Sequence, residues 1–357
     1  MGFLKWFLVL VIVLGAAFLI YGSVKINQPY RTDAEKEVFV VSPGATTETV
    51  GAALEEQGLI SSAFFFKLQV HLKKMGGKIQ AGTYELSPSQ SIGEIVELLT
   101  SGAVLDDAVR VTVLEGWRAA EVAAALGDAR LVSEREYLEF VSPSVPGQGY
   151  DFAPEFSFLA DKPADAGLEG YLFPDTYLLK PGASAEEITR KFLQNFDRKL
   201  GSDLRAAIGE QKKTIFEIVT LASIVEREVG RNLKKGTKLS EADLRKLQEE
   251  RELVASVFYN RLKIGKPLES DATVAYITGS TSNRATIEET KINSPYNTYR
   301  YAGLPPGPIA NPSLEAIRAA IEPAESDYLY FLTSPDGTAY FGRTLEEHIQ
   351  NRQRYLE

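Results

Sequence analysis

The sequence predicts an α+β protein in three parts: an N-terminal transmembrane helix, small α/β modules, and a helix-rich α+β domain at the C-terminal end. Three observations carry this reading. An uncharged apolar run opens the chain, and a strand–turn–helix grammar then repeats at an offset of 72 residues. From residue 168 onward, long helical runs take over and close on two short strands. A chain of 357 residues, 44% hydrophobic and 24% charged, is long enough for two or three domains with their own cores.

The first element spans Trp6 to Val24, "WFLVLVIVLGAAFLIYGSV", without a charge. At ~1.5 Å per residue this run approaches ~30 Å, the depth of a bilayer core. A signal peptide has a shorter apolar core, and no small-x-small cleavage site precedes Lys25, so residues 1–24 read as an uncleaved anchor. Lys5 stands on one side of it and Lys25 and Arg31 on the other, which leaves its orientation open. Residues 25–36 form a short polar linker.

The repeat region follows, over residues 37–140. "VVSPGATTETVGAALEEQGLISSAFFF" (40–66) and "VTVLEGWRAAEVAAALGDARLVSEREYL" (111–138) each run from a β-branched strand to a turn glycine, Gly44 or Gly116. An amphipathic helix comes next (Val50 and Leu54; Val122 and Leu126). A hydrophobic step (Leu59-Ile60; Leu131-Val132) then opens a second helix carrying an aromatic, Phe65 or Tyr137. Between the copies, residues 82–102 predict a strand, a turn and a further helix. Residues 141–167, rich in Pro, Gly and Asp, read as a connecting segment. Residues 168–357 read as one mixed domain. Its elements are a helix over 185–200, an apolar helix over 214–229, a charged insert at 231–250, a helix ending at Gly265, and a strand pair around Pro335-Asp336-Gly337 before a last helix.

Composition excludes several chemistries. The formal charge is −9, from 39 basic against 48 acidic residues with no basic block, which argues against nucleic acid as a partner. The absence of cysteine rules out disulfides, thiolate metal sites and cysteine nucleophiles. His71 and His348 are the two histidines, far apart in sequence, so neither a histidine metal site nor a Ser-His-Asp triad is expected.

The stretch "LASIVEREVG" (221–230) places Glu226 and Glu228 at the end of an otherwise apolar helix. A carboxylate removed from water must be paired, hydrogen-bonded or protonated. At ~100° per residue the two lie about 200° apart, so they do not face one cleft together. Periodicity sets Glu226 nearer the centre of the apolar arc and Glu228 at its edge. One reading pairs Glu226 with a buried Arg such as Arg261 and leaves Glu228 a solvated helix end. The other makes one of them a proton-holding carboxyl at a cleft edge, as glycosidic chemistry requires.

"LASIVERE", followed by "VASVFYNRL", "SDATVAY", "SPYNTYRYAGLPPGPIANPS" and "YLYF", closely resembles the endolytic murein transglycosylase (MltG/YceG-like) family, and "LEGYLFPDTY" (168–177) looks like that family's upstream signature. The resemblance covers essentially the whole chain, and its motifs are long and ordered. It implies LysM-like repeats, a catalytic domain over 168–357, and a single-pass protein of the bacterial inner membrane with its bulk outside the cytoplasm. The implied reaction is lytic: internal cleavage of nascent glycan strands between N-acetylmuramic acid and N-acetylglucosamine, with one glutamate acting as acid and then as base. A 1,6-anhydro ring forms, and no metal or organic cofactor is used. The implied partners are peptidoglycan glycan strands, the membrane and peptidoglycan synthases, and the implied role is to end strand elongation. Matching the helix end to lytic transglycosylases at large selects Glu228 as the acid/base and makes Glu226 a supporting carboxylate. Asp271 either orients the sugar or caps a helix. Tyr296, Asn297, Thr298 and Tyr299 either bind sugar or form a turn with packed tyrosines. Residues 303–309 read as a rigid loop shaping the cleft. Glu169 and Asp175 either meet substrate or hold their loop, and His348 reads as a surface or packing residue. Two competing functions remain open: a lysozyme-like hydrolase with Asp271 or Glu226 as second carboxylate, and a membrane-anchored glycan-binding scaffold.

Overall fold

A computed structural model describes residues 6, 21–32, 36–101, 108–142, 150–229, 240–280, 284–335 and 337–356. Of the expected anchor, only Trp6 and residues 21–24 fall among these. Among the described residues no helix is long and apolar enough to cross a membrane. The chain divides into two compact units, Met1–Ala108 and Val109–Glu357.

In the first unit, β1 (Glu37–Val41) and β2 (Gly82–Leu86) pair antiparallel, with Phe39 opposite Tyr84 and Glu37 opposite Leu86. Alternation along both strands turns Phe39, Val41, Tyr84 and Leu86 inward. Helices α1 (Thr47–Glu56) and α2 (Ala63–Leu72) lie between the strands in sequence, and α3 (Ile92–Thr100) follows. Leu54, Leu59, Phe66, Ile95, Val96 and Leu99 fill the core. Thr46 with Thr49, and Ser91 with Glu94, close capping boxes at the starts of α1 and α3. Gly44 takes φ +79° at the expected turn. Residues 21–27 are helical, and Ile26, which the sequence placed in a polar linker, is buried in this core.

The second unit opens with the other repeat copy: β3 (Val109–Val113), α4 (Ala119–Asp128) and α5 (Glu134–Val141), with Gly116 at φ +73° in the turn. Its closing strand is β4 (Asp175–Leu179), which pairs antiparallel with β3 and sets Val111 opposite Tyr177. Each copy is therefore a β–α–α–β unit, and the second draws its last strand from the region read as the start of the catalytic domain. The compact division accordingly falls at 108/109 and not within 141–167. That segment is no loose connection where it is described: Phe152, Phe156, Phe158 and Leu159 join the core of the second unit. Phe158 stacks on Tyr171 at 5.8 Å and meets Phe196 at 4.8 Å.

The remaining elements are α6 (Ala185–Glu210, broken at Gly201), α7 (Ile215–Glu228), α8 (Glu241–Lys263), α9 (Asp271–Thr278), α10 (Leu314–Ile321), the antiparallel pair β5 (Tyr330–Thr333) and β6 (Ala339–Gly342), and α11 (Leu345–Tyr355). The described half of the charged insert is helix: Ser240 caps α8, whose first turns carry it. Helix α7 is the centre of this unit. Thr214 and Glu217 cap its start, and Ile218, Val219, Leu221, Ala222, Ile224 and Val225 are almost wholly buried.

The "LEGYLFPDTY" stretch holds the second unit together. Glu169 accepts the Ala119 N–H at the start of α4 at 2.9 Å. Asn311 Oδ1 accepts the N–H groups of Gly170 and Leu172, and its Nδ2 donates to the Trp117 carbonyl, all at 2.9 Å. Asp175 accepts from Asn195 at 3.0 Å. Gly170 has φ +89°, and a Cβ there would lie 2.6 Å from Pro308 and 2.8 Å from Val219. Gly182 shares the positive φ (+79°) but has open space around it. Gly170→Ala is therefore expected to lower unfolding free energy by about 2–4 kcal/mol, against about 1 kcal/mol for Gly182→Ala, as read by urea denaturation.

Candidate active site

Helix α7 ends at Glu228, and the chain leaves it in extended backbone at the buried Val229. Glu228 is only 9% exposed. It lines a cleft of about 1230 Å³ together with Arg261, Glu269, Asp271, Tyr299, Tyr330 and His348. The Ser270 hydroxyl donates to Glu228 Oε1 at 2.5 Å.

The other glutamate has a different place. Glu226 Oε2 accepts the Ser313 N–H at 3.1 Å and the Ser313 hydroxyl, and Ser313 is the N-cap of α10. Glu226 is half-buried and does not line the cleft. The helical wheel thus ranked the two burials in the wrong order. In the last turn of a helix the surroundings are set by whatever packs beyond its end, and here the 268–271 segment closes over Glu228. Nor does Arg261 pair with Glu226. It binds Glu269 at 2.9 Å and donates to the carbonyls of Leu268 (2.9 Å), Pro267 (3.1 Å) and Leu329 (2.7 Å). These bonds tie α8 to the segment that carries Ser270 and to β5.

That segment is tightly specified. Glu269 occupies the left-handed region at φ +49°, where a side chain is strained. Its N–H bonds the Thr298 carbonyl at 3.0 Å. The N-cap of α9 is Ser270, not Asp271, and the Ser270 side chain makes no capping bond. Asp271 instead sits in the first turn, where a carboxylate complements the helix dipole, and its Oδ1 accepts the Tyr299 hydroxyl at 2.7 Å. Burial first, and then this bond, push the Tyr299 phenol far above its ordinary value.

The four residues 296–299 divide. Tyr299 lines the cleft. Thr298 is buried behind Ser270, accepting its N–H at 3.0 Å and sharing a 2.8 Å hydroxyl contact with Thr273. Asn297 is fully buried and holds the loop, donating to the carbonyls of Thr290 (3.0 Å) and Ile292 (2.8 Å) while accepting the Tyr299 N–H at 3.0 Å. Tyr296 packs on Tyr276, ring centres 5.0 Å apart, away from the cleft lining. The 303–309 loop also stays outside that lining: Ile309 N–H binds the Ser223 hydroxyl of α7 at 3.0 Å, and Pro308 covers Gly170.

Sequence reasoning passed over Arg261, Glu269 and Tyr330 as cleft residues and Ser270 as the buried partner of Glu228, and took His348 for a surface or packing residue. His348 lines the cleft and stacks on Tyr330 at 5.3 Å. The Ser270 signal was available, because a serine directly before an apolar helix ordinarily caps it. Among the described residues no three His, Asp or Glu side chains converge as a metal set. His348 Nδ1 is buried without a hydrogen-bond partner among the described residues, and burial, aided by Arg261 and Arg352, lowers its pKa. A histidine whose folded value is depressed stays neutral in the fold and charges first when unfolded. Its contribution is therefore present above about pH 6.5 and is lost as pH falls below that. The stability difference between wild type and His348→Phe should shift against the wild type between pH 7 and pH 5, as measured by denaturant midpoints.

The chain as a whole is similar to known proteins. The family model for the YceG-like family matches residues 39–354. The endolytic murein transglycosylase of Bacillus subtilis (strain 168) is 32% identical over 352 residues, covering 97% of this chain and 91% of that protein. The endolytic murein transglycosylase of Streptococcus pneumoniae strain D39 is 30% identical over 345 residues, 90% of this chain but only 59% of that longer protein. The crystal structure of a yceG-like protein from Listeria monocytogenes superposes with a TM-score of 0.57 at 29% identity, covering 89% of this chain and 99% of that one.

Proposed function

The chain belongs to the YceG-like family, and from that premise we propose that it is an endolytic lytic transglycosylase of peptidoglycan with Glu228 as its single acid/base. The observation that carries this is the split between the two glutamates: Glu228 lies buried in the cleft, while Glu226 is occupied with the start of α10.

The chemistry follows from one carboxyl used twice. Protonated Glu228 gives its proton to the oxygen bridging N-acetylmuramic acid and the next N-acetylglucosamine, and the bond from C1 to that oxygen breaks. The 6-hydroxyl of the same muramyl residue attacks C1 and surrenders its proton to Glu228, which regenerates the acid. The products are a free 4-hydroxyl on N-acetylglucosamine and a 1,6-anhydro end. No water is consumed. Asp271 and Tyr299, joined by their hydrogen bond, offer a carboxylate oxygen and an aromatic face to the sugar, and Tyr330 offers a second ring. Thr298 and Asn297 act from behind by holding Ser270 and Tyr299 in place. Tyr296 and Glu226 take structural roles.

The β–α–α–β arrangement of the first unit supports a LysM-like reading, in which residues 37–101 hold glycan for the cleft. The uncharged run over residues 6–24 supports a single-pass anchor in the bacterial inner membrane with the cleft on the extracytoplasmic side, beside the synthases whose strands it would end.

Digestion of purified glycan strands, read by mass spectrometry, tests the reading. Wild type should yield 1,6-anhydromuramyl ends. Glu228→Gln should lose at least about a thousandfold in kcat, and Glu226→Gln should retain activity within about tenfold while unfolding more readily. Reducing ends from the wild type would mark a hydrolase, and no cleavage at all would mark a glycan-binding scaffold.

A further inference from the structure

Strands β5 and β6 form a sheet of two, so each has one edge without a partner strand. The register fixes which backbone groups face that edge. The Ser334 N–H bonds the Thr338 carbonyl at 2.9 Å and sets one hydrogen-bonded pair at the hairpin end. Such pairs alternate along an antiparallel ladder, so the next two are Leu332 with Tyr340 and Tyr330 with Gly342. The N–H and carbonyl groups of Phe331 and Thr333 accordingly point away from β6. On the opposite edge, the outward carbonyl of Phe341 in β6 accepts from Asn351 of α11 at 3.1 Å. No hydrogen bond among the described residues engages the main chain of Phe331 or Thr333. Both residues are half-buried and line the cleft that holds Glu228. The two faces of β5 are occupied, since Phe331 meets Phe258 of α8 at 5.8 Å and Tyr330 stacks on His348 of α11. Arg261 ties the start of β5 to the segment before Ser270 by bonding the carbonyls of both Leu329 and Leu268.

We propose that the open edge of β5 binds the peptide stem carried by the muramyl residue being cut, so that the protein acts on peptide-bearing strands in preference to bare glycan. This rests on reading the cleft as a transglycosylase site. In peptidoglycan the stem hangs from the lactyl group of the muramyl ring, the same sugar whose C1 is broken at Glu228. A stem leaving that ring emerges into the cavity that β5 lines. Strand addition then supplies the contact: an extended peptide exchanges N–H and carbonyl bonds with an exposed sheet edge. Phe331 and Thr333 are two residues apart, ~6.6 Å at ~3.3 Å per residue, the spacing at which alternate residues of an extended peptide present their own groups. Two residues make up the whole open edge within β5, which suits a short peptide and not a long strand. With both faces of β5 covered, the contact it offers is main chain. Recognition therefore requires a peptide and tolerates variation in its side chains.

The test uses the full-length protein on two substrates: uncrosslinked strands carrying their peptides, and the same strands stripped by an amidase that cuts between the lactyl group and the peptide. Wild type should favour the peptide-bearing strands by about tenfold in kcat/KM, the worth of one or two net hydrogen bonds. Thr333→Pro removes the edge-facing N–H without touching the β5–β6 ladder and should bring that ratio toward one. Thr333→Val, which keeps the N–H, should hold the wild-type ratio. Equal rates on the two substrates in wild type, or an unmoved ratio in folded Thr333→Pro, overturns the proposal. Amide hydrogen exchange on the Glu228→Gln protein gives a second readout that needs neither cleavage nor the proline variant. Peptide-bearing strands should slow exchange at Phe331 and Thr333 by about tenfold, and stripped strands should leave it as it is. Slowing by both substrates or by neither overturns the proposal. Slowing that appears without substrate and grows with protein concentration marks edge pairing between two copies of the chain, and overturns it too. If Glu228→Gln still cleaves, the acid/base assignment fails, separately from the role given to β5.

Discussion

The second unit depends on burying α7 on nearly every side while ending it in a carboxylate. All eight side chains from Ile218 to Val225 are at most 1% exposed. Each Ile, Leu and Val among them contributes roughly 1.5–3 kcal/mol when removed from water, which makes the helix hard to displace. Its position is locked from outside as well. Pro308 presses into the gap that only a glycine at 170 leaves open against Val219, and the Ser223 hydroxyl is bonded by the backbone of Ile309. The location of Glu228 is thus a property of the core. A functional group held by a rigid element is placed more sharply than one on a loop.

The two glutamates at the end of α7 illustrate how one helix serves fold and chemistry at adjacent residues. Glu226 accepts two bonds from Ser313, extending the capping of α10 across to α7. Such an attachment keeps the last turn of α7 from fraying, which is where an unsupported helix loses order first. Glu228, two positions on, turns toward the facing segment, whose backbone runs through the left-handed Glu269 and is pinned by Arg261. The strain at Glu269 is tolerated because the surrounding bonds over-determine it, and it sets Ser270 where its hydroxyl meets the carboxyl.

Local pattern was legible wherever the structure is local. The repeat grammar, the turn glycines Gly44 and Gly116 and the closing strand pair all follow from period and turn chemistry in a short window. The missed features are those made by distant pairing. Strand β4 belongs with β3, more than sixty residues earlier, because Tyr177 and Leu179 need the same core as Val111 and Val113. No window of sequence contains that requirement. The burial order of Glu226 and Glu228 failed for a similar reason, since the wheel describes the helix and not the segment packed past its end. The motif "SPYNTYRYAGLPPGPI" was visible as unusual, yet its parts do separate work: Tyr299 reaches the cleft, Asn297 holds the loop, and the proline-rich portion packs on α7 away from the opening. His348 gave no signal in sequence, because the strand pair and α11 bring it to the cleft from the far end of the chain.

A crystal structure of the Glu228→Gln protein with a bound glycan oligomer tests the central claim most directly. The scissile oxygen should lie within hydrogen-bonding distance of the side chain at position 228, with the sugars running between Tyr299 and Tyr330. An oligomer seated beside Glu226 and Ser313, with position 228 out of reach of any glycosidic oxygen, would contradict it.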